Sequence, residues 1–149
     1  MSGKIGFFCE DISFKLKHKA KLRSWITAAA AVHDWTVGEI NYIFCDDAYL
    51  LEINTKYLQH DTLTDIITFP LQEIEQQIKG EIYISIPRVL ENAEKFGSTA
   101  ETELHRVMIH GILHLLGFKD KSKEQKTLMR QGEDSCLLML QNILSPEVD

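Results

Sequence analysis

The chain has 149 residues, of which 44% are apolar and 26% are charged, and its formal net charge is −6. This length and composition are typical of one globular domain, which we place at residues 1–149. It has no run of about 18 apolar residues and no secretory signal at its start, so we expect no membrane span. The acidic charge disfavours binding to nucleic acid by charge alone, so any RNA partner must meet a local basic groove or be reached through another macromolecule.

Three widely spaced cysteines are present, Cys9, Cys45 and Cys136. An odd number at these spacings disfavours a disulfide framework and fits a reducing environment, so we expect a cytoplasmic protein. None lies in a C-x-x-C pair, which disfavours cysteine ligation of a metal. We expect each to be a small buried apolar residue.

Apolar periodicity and turn signals predict nine elements in the order β-α-β-α-β-β-α-α-α. In chain order they are a strand over about 4–9, a helix over about 15–33, a strand over about 36–45, a helix over about 47–57, strands at Asp65–Phe69 and Glu81–Ser85, and helices over about 87–97, 99–116 and 123–143. The polar segment 71–79 between the last two strands is expected to be a loop. The predicted fold class is α+β, with one mixed sheet of about four strands, helices on its faces and one nearly buried helix that carries the chemistry.

Several residues mark the predicted helix ends. Asp46 is expected to cap the second helix, and Gly97 to end the third. Ser98 followed by Glu101 fits a capping box. The same pattern, Ser122 followed by Gln125, is expected to begin the last helix.

The segment from His110 to Asp120, HGILHLLGFKD, carries the main chemical signal. Histidines four apart on a helix face one point, and neutral imidazole is a good zinc ligand. Gly117 can take a positive φ, end the helix and return the chain, which delivers Asp120 to the same point. We therefore predict one metal ion, Zn²⁺ or another divalent ion, held by His110, His114 and Asp120 with an open fourth position.

The alternative is that the histidine pair arose by chance. Against this, the helix is apolar on nearly all its other faces, and buried polar groups are costly unless they are bonded or ligated. Gly117 and Asp120 also fall at the spacing of the zinc motif H-E-x-x-H-x-x-G-x-x-H. One difference is that Gly111 stands where a zinc peptidase has its general base, Glu, which disfavours peptide hydrolysis.

His114 and Arg106 are the candidate catalytic residues. Arg106 lies one turn before His110 and is expected either to hold an anionic substrate or to form a salt bridge to Glu103. The remaining polar candidates have ordinary surface roles as alternatives. These are Lys119 and Lys121 as phosphate contacts, and Asp65 and Glu81 as a base or a support for the ligands.

Three ordered blocks resemble the YbeY family, which are bacterial metal-dependent endoribonucleases of ribosomal RNA maturation. The family's H-G-x-L-H-L-x-G-y-D-H is similar to HGILHLLGFKD, its P-T-D-V-L-S-F-P to LTDIITFP at 63–70, and its L-G-D-I-x-I-S to KGEIYIS at 79–85. Asn54 and Tyr57 match the family's L-N-x-x-Y-R. This chain differs in having Asp120 where the third ligand is usually His, and Leu58 where the family has an arginine thought to act on RNA.

The resemblance implies hydrolysis of single-stranded ribosomal RNA, in processing of the small-subunit precursor and in ribosome quality control. It further implies a fold like that of metal-dependent peptidases with a groove beside the metal, and the ribosome, a ribosomal protein or a GTPase as partners. Two alternatives stay open. One is a metal-binding ribosome-assembly factor with little nuclease activity, favoured by Leu58 and the acidic charge, and the other is a metallopeptidase-like hydrolase.

Overall fold

The computed structural model of the chain describes residues 3–58 and 64–145. Four strands form one mixed sheet: β1 (Lys4–Glu10), β2 (Thr36–Cys45), β3 (Ile66–Pro70) and β4 (Gln77–Ser85). Their order across the sheet is β1-β2-β4-β3. β1, β2 and β4 run parallel, and β3 runs antiparallel to β4 at one edge. This confirms the predicted α+β class and the predicted number of strands.

Five helices cover the sheet: α1 (Lys19–Val32), α2 (Asp47–Leu58), α3 (Ile86–Phe96), α4 (Ala100–Leu115) and α5 (Lys123–Leu144). The order of elements is the predicted one. None of the helices within the described ranges is long and apolar enough to cross a membrane.

Apolar residues of the strands point alternately to the two faces of the sheet, where they belong to one large and one small hydrophobic core. On one face, Ile40, Tyr42 and Phe44 of β2 belong to a large buried cluster formed with α1, α3, α4 and α5. On the other face, Cys45 and Ile67 pack with α2 in a small cluster. Alternate residues of a strand point to opposite faces, so the sequence itself assigns each side chain to one core.

Gly111 is the point at which helix α4 packs directly against side chains of the sheet. A Cβ atom on Gly111 would lie 3.0 Å from Cδ1 of Ile82 and 3.1 Å from Cδ1 of Ile66. Position 111 therefore points at the sheet. A glutamate side chain at position 111 would have no room. Gly111 therefore has a packing role, and it also stands where a zinc peptidase has its general base.

Helix α1 begins at Lys19, four residues later than the predicted start near residue 15. The preceding segment is a loop, in which the centroids of the Phe14 and Phe44 rings lie 5.2 Å apart and Leu16 is buried. His18 precedes the helix with a positive φ of 61°. Leu16, which lies inside the predicted helix, is thus buried as a loop residue, and this accounts for the difference.

The polar segment predicted as a loop up to residue 79 is partly strand. Gln77 pairs with Thr36 and Ile78 with Val37 in the parallel ladder to β2. Ile78 is buried, so β4 begins where an apolar residue first alternates with polar ones. Gly80 consequently lies inside the strand rather than before it.

The predicted capping box at Ser98 is wrong. The Ser98 N–H donates to the Ala93 carbonyl at 2.9 Å and so completes the end of α3, where Gly97 has a φ of 71°. Thr99 instead caps α4, its hydroxyl accepting from the Thr102 N–H at 3.0 Å.

The other predicted helix ends are confirmed. Asp46 accepts from the Tyr49 N–H at 2.8 Å, and Ser122 and Gln125 form the capping box of α5. Of the three cysteines, Cys45 and Cys136 are buried as expected, but Cys9 is exposed. β1 is an edge strand, and the Cys9 thiol lies 3.2 Å from the Phe14 carbonyl.

Candidate metal centre

Three side chains converge at the end of α4. The Nε2 atoms of His110 and His114 lie 3.0 Å apart, and Oδ2 of Asp120 lies 3.3 Å from each. Gly117, with a φ of 107°, turns the chain back after α4 and so brings Asp120 to the histidines, as predicted. Within residues 3–58 and 64–145, this is the one group of His, Cys, Asp and Glu side chains close enough to hold a metal ion.

The separations of the three donor atoms fit a small divalent ion. Ligand atoms about 2.0–2.1 Å from a tetrahedral zinc ion lie about 3.3 Å from one another. The separations here are 3.0, 3.3 and 3.3 Å. Two imidazoles and one carboxylate are also a donor set that catalytic zinc sites use, and three ligands leave one position open.

The far nitrogen of each histidine has a partner that turns Nε2 toward Asp120. Nδ1 of His110 lies 2.6 Å from Oε2 of Glu133, and Nδ1 of His114 lies 3.0 Å from the Phe118 carbonyl. An Nδ1–H that donates to such a partner leaves the Nε2 lone pair free for a metal. Both rings are thus oriented as metal-ligating imidazoles usually are.

Glu133 belongs to a buried ionic network between α4 and α5. Its other oxygen, Oε1, accepts from Arg106 at 2.9 Å, and Arg106 also pairs with Asp134 at 2.8 Å. Arg106 therefore has salt-bridge partners, but they are on α5 and are not the predicted Glu103. Its predicted role in holding an anionic substrate stays a prediction.

The electrostatics of His110 favour its cationic form in the metal-free chain. Burial disfavours the charge, but the hydrogen bond to Glu133 and the carboxylates of Glu133, Asp120 and Asp65 outweigh burial and raise the pKa of His110. A cation at the centre of these carboxylates is thus stabilised, and a divalent ion would supply that charge.

A groove of about 830 Å³ opens onto the cluster. It is lined by residues of α2, β3, α4 and the loop after α4, including Leu58, Asp65, His110, His114 and Lys121. Leu58, the residue at the family's arginine position, is 42% exposed. The α2 side of the groove therefore presents an apolar side chain at the position of the family's arginine.

Asp65 and Glu81, the two other acidic candidates, differ in position. Asp65 lines the groove, and burial, opposed by the nearby His110, raises the pKa of its carboxyl. Asn92 Nδ2 lies 3.5 Å from Oδ2 of Asp65. Glu81 lies in β4 opposite Phe69 and is not among the groove's lining residues.

The two loop lysines also differ. Lys121 lines the groove, whereas Lys119 does not. Glu133 and the Phe118 carbonyl were not among the residues predicted from the sequence. Glu133 lies 23 residues from His110, and only the packing of α5 on α4 brings them together.

Here a helix carries a His-x-x-x-His pair beneath an open groove, and the following turn supplies a candidate third ligand. This arrangement is typical of metal-dependent hydrolases. Residues 7–141 match the family model described as Endoribonuclease YbeY. The chain therefore belongs to the YbeY endoribonuclease family.

Similar proteins support this assignment over nearly the whole chain. A protein of Cytophaga hutchinsonii named Endoribonuclease YbeY is 47% identical over 133 residues, which cover 89% of this chain and 93% of that protein. One of the same name from Flavobacterium psychrophilum is 50% identical over 130 residues, covering 87% and 92%. The solution structure of TM1509 from Thermotoga maritima matches with a TM-score of 0.61 and 30% identity, covering 97% of each chain.

Proposed function

We propose that this chain is a zinc-dependent endoribonuclease that hydrolyses single-stranded ribosomal RNA, with His110, His114 and Asp120 as metal ligands. The observation that carries the proposal is the triangle of three donor atoms at 3.0–3.3 Å, which the partners of both histidines orient toward one point. Membership of the endoribonuclease family gives the reaction class.

The chain's own residues have distinct tasks in this proposal. Glu133 holds His110 and the Phe118 carbonyl holds His114, so the ligands are set before metal arrives. When bound, the metal would polarise a phosphoryl oxygen and make water a better nucleophile. Lys121, at the rim of the groove, would bind a phosphate next to the cleaved bond.

Asp65 is the group we assign as general base. Of the other carboxylates beside His110, Asp120 is a ligand, Glu133 is bound to Arg106 and His110, and Glu103 does not line the groove. Asp65 lines both the groove and the hollow beside His110. A carboxylate whose pKa is raised accepts a proton more readily than an ordinary one, which suits a base.

The substrate and partners follow from the open groove and the charge of the chain. A groove of about 830 Å³ that is open along the sheet edge suits an extended strand better than a small molecule. Because the net charge is −6, we expect modest affinity for free RNA. Delivery by the ribosome, a ribosomal protein or a GTPase in the cytoplasm would then supply specificity.

Neither alternative function is favoured by an observation on the structure. A metallopeptidase would need a base at position 111, where the sheet leaves no space. An assembly factor without nuclease activity would not need three donors oriented around an open position.

The test offers the purified zinc-loaded chain both labelled single-stranded RNA and a peptide library. We expect cleavage of RNA, none of the peptides, and loss of RNA cleavage in His114→Ala made and purified in parallel, which controls for contaminating nuclease. Equal RNA cleavage by both proteins would contradict the proposal. Ribosome binding with no cleavage by the wild-type chain would favour the assembly factor.

A further inference from the structure

The first half of α5 carries an exposed row of cations. Lys123, Lys126 and Arg130 are spaced three and four residues apart, so they lie within about 60° of one another around the helix. All three side chains are exposed, and together with Thr127 and Gln131 they line a shallow surface hollow. We call Lys123, Lys126 and Arg130 the α5 stripe.

The α5 stripe is continuous with the candidate metal centre. Lys126 and Arg130 also line a second hollow, of about 270 Å³, whose other walls include His110 and Asp120. A strand that leaves the metal centre on this side therefore passes directly onto the stripe. The groove described above, on the other side of the cluster, has Leu58 on its α2 wall.

The cations of the stripe are available for a ligand. None of the three forms an ion pair with another residue in the described parts of the chain. The buried carboxylate that lines the second hollow with Lys126 and Arg130, that of Glu133, is already bound by Arg106 and His110. Arg106, by contrast, is held by two carboxylates, so its charge is largely compensated.

We propose that the α5 stripe binds the phosphates of the RNA strand on one side of the cleaved bond, and that it is the main backbone-binding surface of this chain. This inference rests on the proposed endoribonuclease function. A row of separated point charges next to a hydrolytic centre complements a polyanion with regularly spaced phosphates. It also explains how a chain with a net charge of −6 can bind RNA, because the basic surface is local.

The test measures how the affinity for a short labelled single-stranded RNA of mixed sequence depends on salt, using the zinc-loaded chain. The slope of log K against log[salt] is negative, and its magnitude decreases by about 0.7 for each phosphate that the protein no longer neutralises. The triple variant K123Q/K126Q/R130Q should therefore reduce the magnitude of the slope by about 2 between about 50 and 200 mM salt. It should also weaken binding by on the order of tenfold or more at about 100 mM salt. This weakening should be the same for RNAs of different sequence.

Two matched variants control for net charge and folding. K17Q/K19Q/K21Q removes three exposed lysines near the start of α1, outside every hollow that touches the cluster, and should keep the wild-type slope. K123R/K126R/R130K keeps the charges of the stripe and should also keep the slope. An unchanged thermal midpoint in all variants shows that the fold is intact.

The outcomes separate this inference from the proposed function. If the wild-type chain cleaves RNA but K123Q/K126Q/R130Q keeps the wild-type salt dependence of binding, the proposal that the α5 stripe binds RNA is wrong, while the proposed nuclease function is unaffected. An equal reduction in the magnitude of the slope in K17Q/K19Q/K21Q would also contradict the α5 stripe proposal, since net charge alone would then be responsible. If the wild-type chain neither binds nor cleaves RNA, both proposals fail.

Discussion

Oε2 of Glu133 lies 2.6 Å from Nδ1 of His110, across the contact between α5 and α4. A carboxylate in this position fixes the tautomer and ring orientation of a ligating histidine and raises its basicity. The ion pairs of Arg106 with buried Glu133 and exposed Asp134 in turn hold that carboxylate in place. The last helix, which contributes none of the three proposed ligands, thus orients one of them.

Replacing Glu133 with Gln should weaken zinc binding about 10- to 100-fold, because the amide is a poorer acceptor for the Nδ1–H of His110. Competition with a chromophoric chelator measures the affinity. Asp134→Asn is the matched control, since Asp134 also pairs with Arg106 but is exposed and does not contact His110. Equal affinities in the Gln variant and the wild type would show that the contact does not support the ligand.

Asp65→Asn should lower RNA cleavage by about 100-fold or more while zinc content stays at the wild-type level, since general bases typically contribute about 10²–10⁴-fold. In the wild type, cleavage should rise with pH as the Asp65 carboxyl loses its proton, over a range displaced upward by its raised pKa. The Asn variant should lack this rise. Retained activity at every pH would remove Asp65 from the reaction.

His105 should make the fold less stable in mild acid. Burial lowers the pKa of this imidazole, His18 adds to the effect, and Glu101 opposes it. The unfolded chain, where the pKa is about 6.5, then binds the proton better than the folded chain, so stability decreases as pH falls through about 6.5 toward the lowered value. Above about 6.5 the group is neutral in both states and has no effect.

Urea unfolding of the metal-free chain and its His105→Gln variant, at several pH values, checks this. The variant should be less stable overall but should lose less stability on acidification. The control His33→Gln, at an exposed position, should keep the wild-type dependence of the unfolding free energy on pH. Parallel pH curves for the wild type and the His105 variant would show that His105 does not titrate with folding.

Gly111→Ala should destabilise the fold by about 1–3 kcal/mol, because the added methyl group would lie 3.0 Å from Cδ1 of Ile82. Ile82→Val removes that atom. In the double variant, part of the stability should therefore be recovered, which a double-mutant cycle of unfolding free energies measures. Strictly additive effects would mean that Gly111 does not set the distance between α4 and the sheet.

Local patterns predicted most of the centre. His110 and His114 lie one turn apart on one helix, and Gly117 and Asp120 follow soon after its end, so their spacing in the sequence predicted that they lie together. Glu133 could not be predicted in this way, because its contact with His110 depends on how α5 packs against α4. The same holds for Arg106, whose partners are on α5 and not one turn along its own helix.

The fold was predictable where periodicity is strong and less so where polar and apolar signals compete. β2 alternates clearly and lies at its predicted bounds. β4 begins earlier than expected, since Ile78 alone supplies the apolar signal among polar neighbours. Leu16 lies inside the predicted first helix, although in the structure it is a loop residue that packs onto the core, as the preceding Phe14 does.

The most direct test of a metal-dependent nuclease is a metal titration of RNA cleavage by the chelator-treated chain. We predict no cleavage without metal, recovery that saturates at one equivalent of zinc, and no recovery in His110→Ala, which should retain no zinc by elemental analysis. Full cleavage by the metal-free chain, or full zinc occupancy in His110→Ala, would contradict the account.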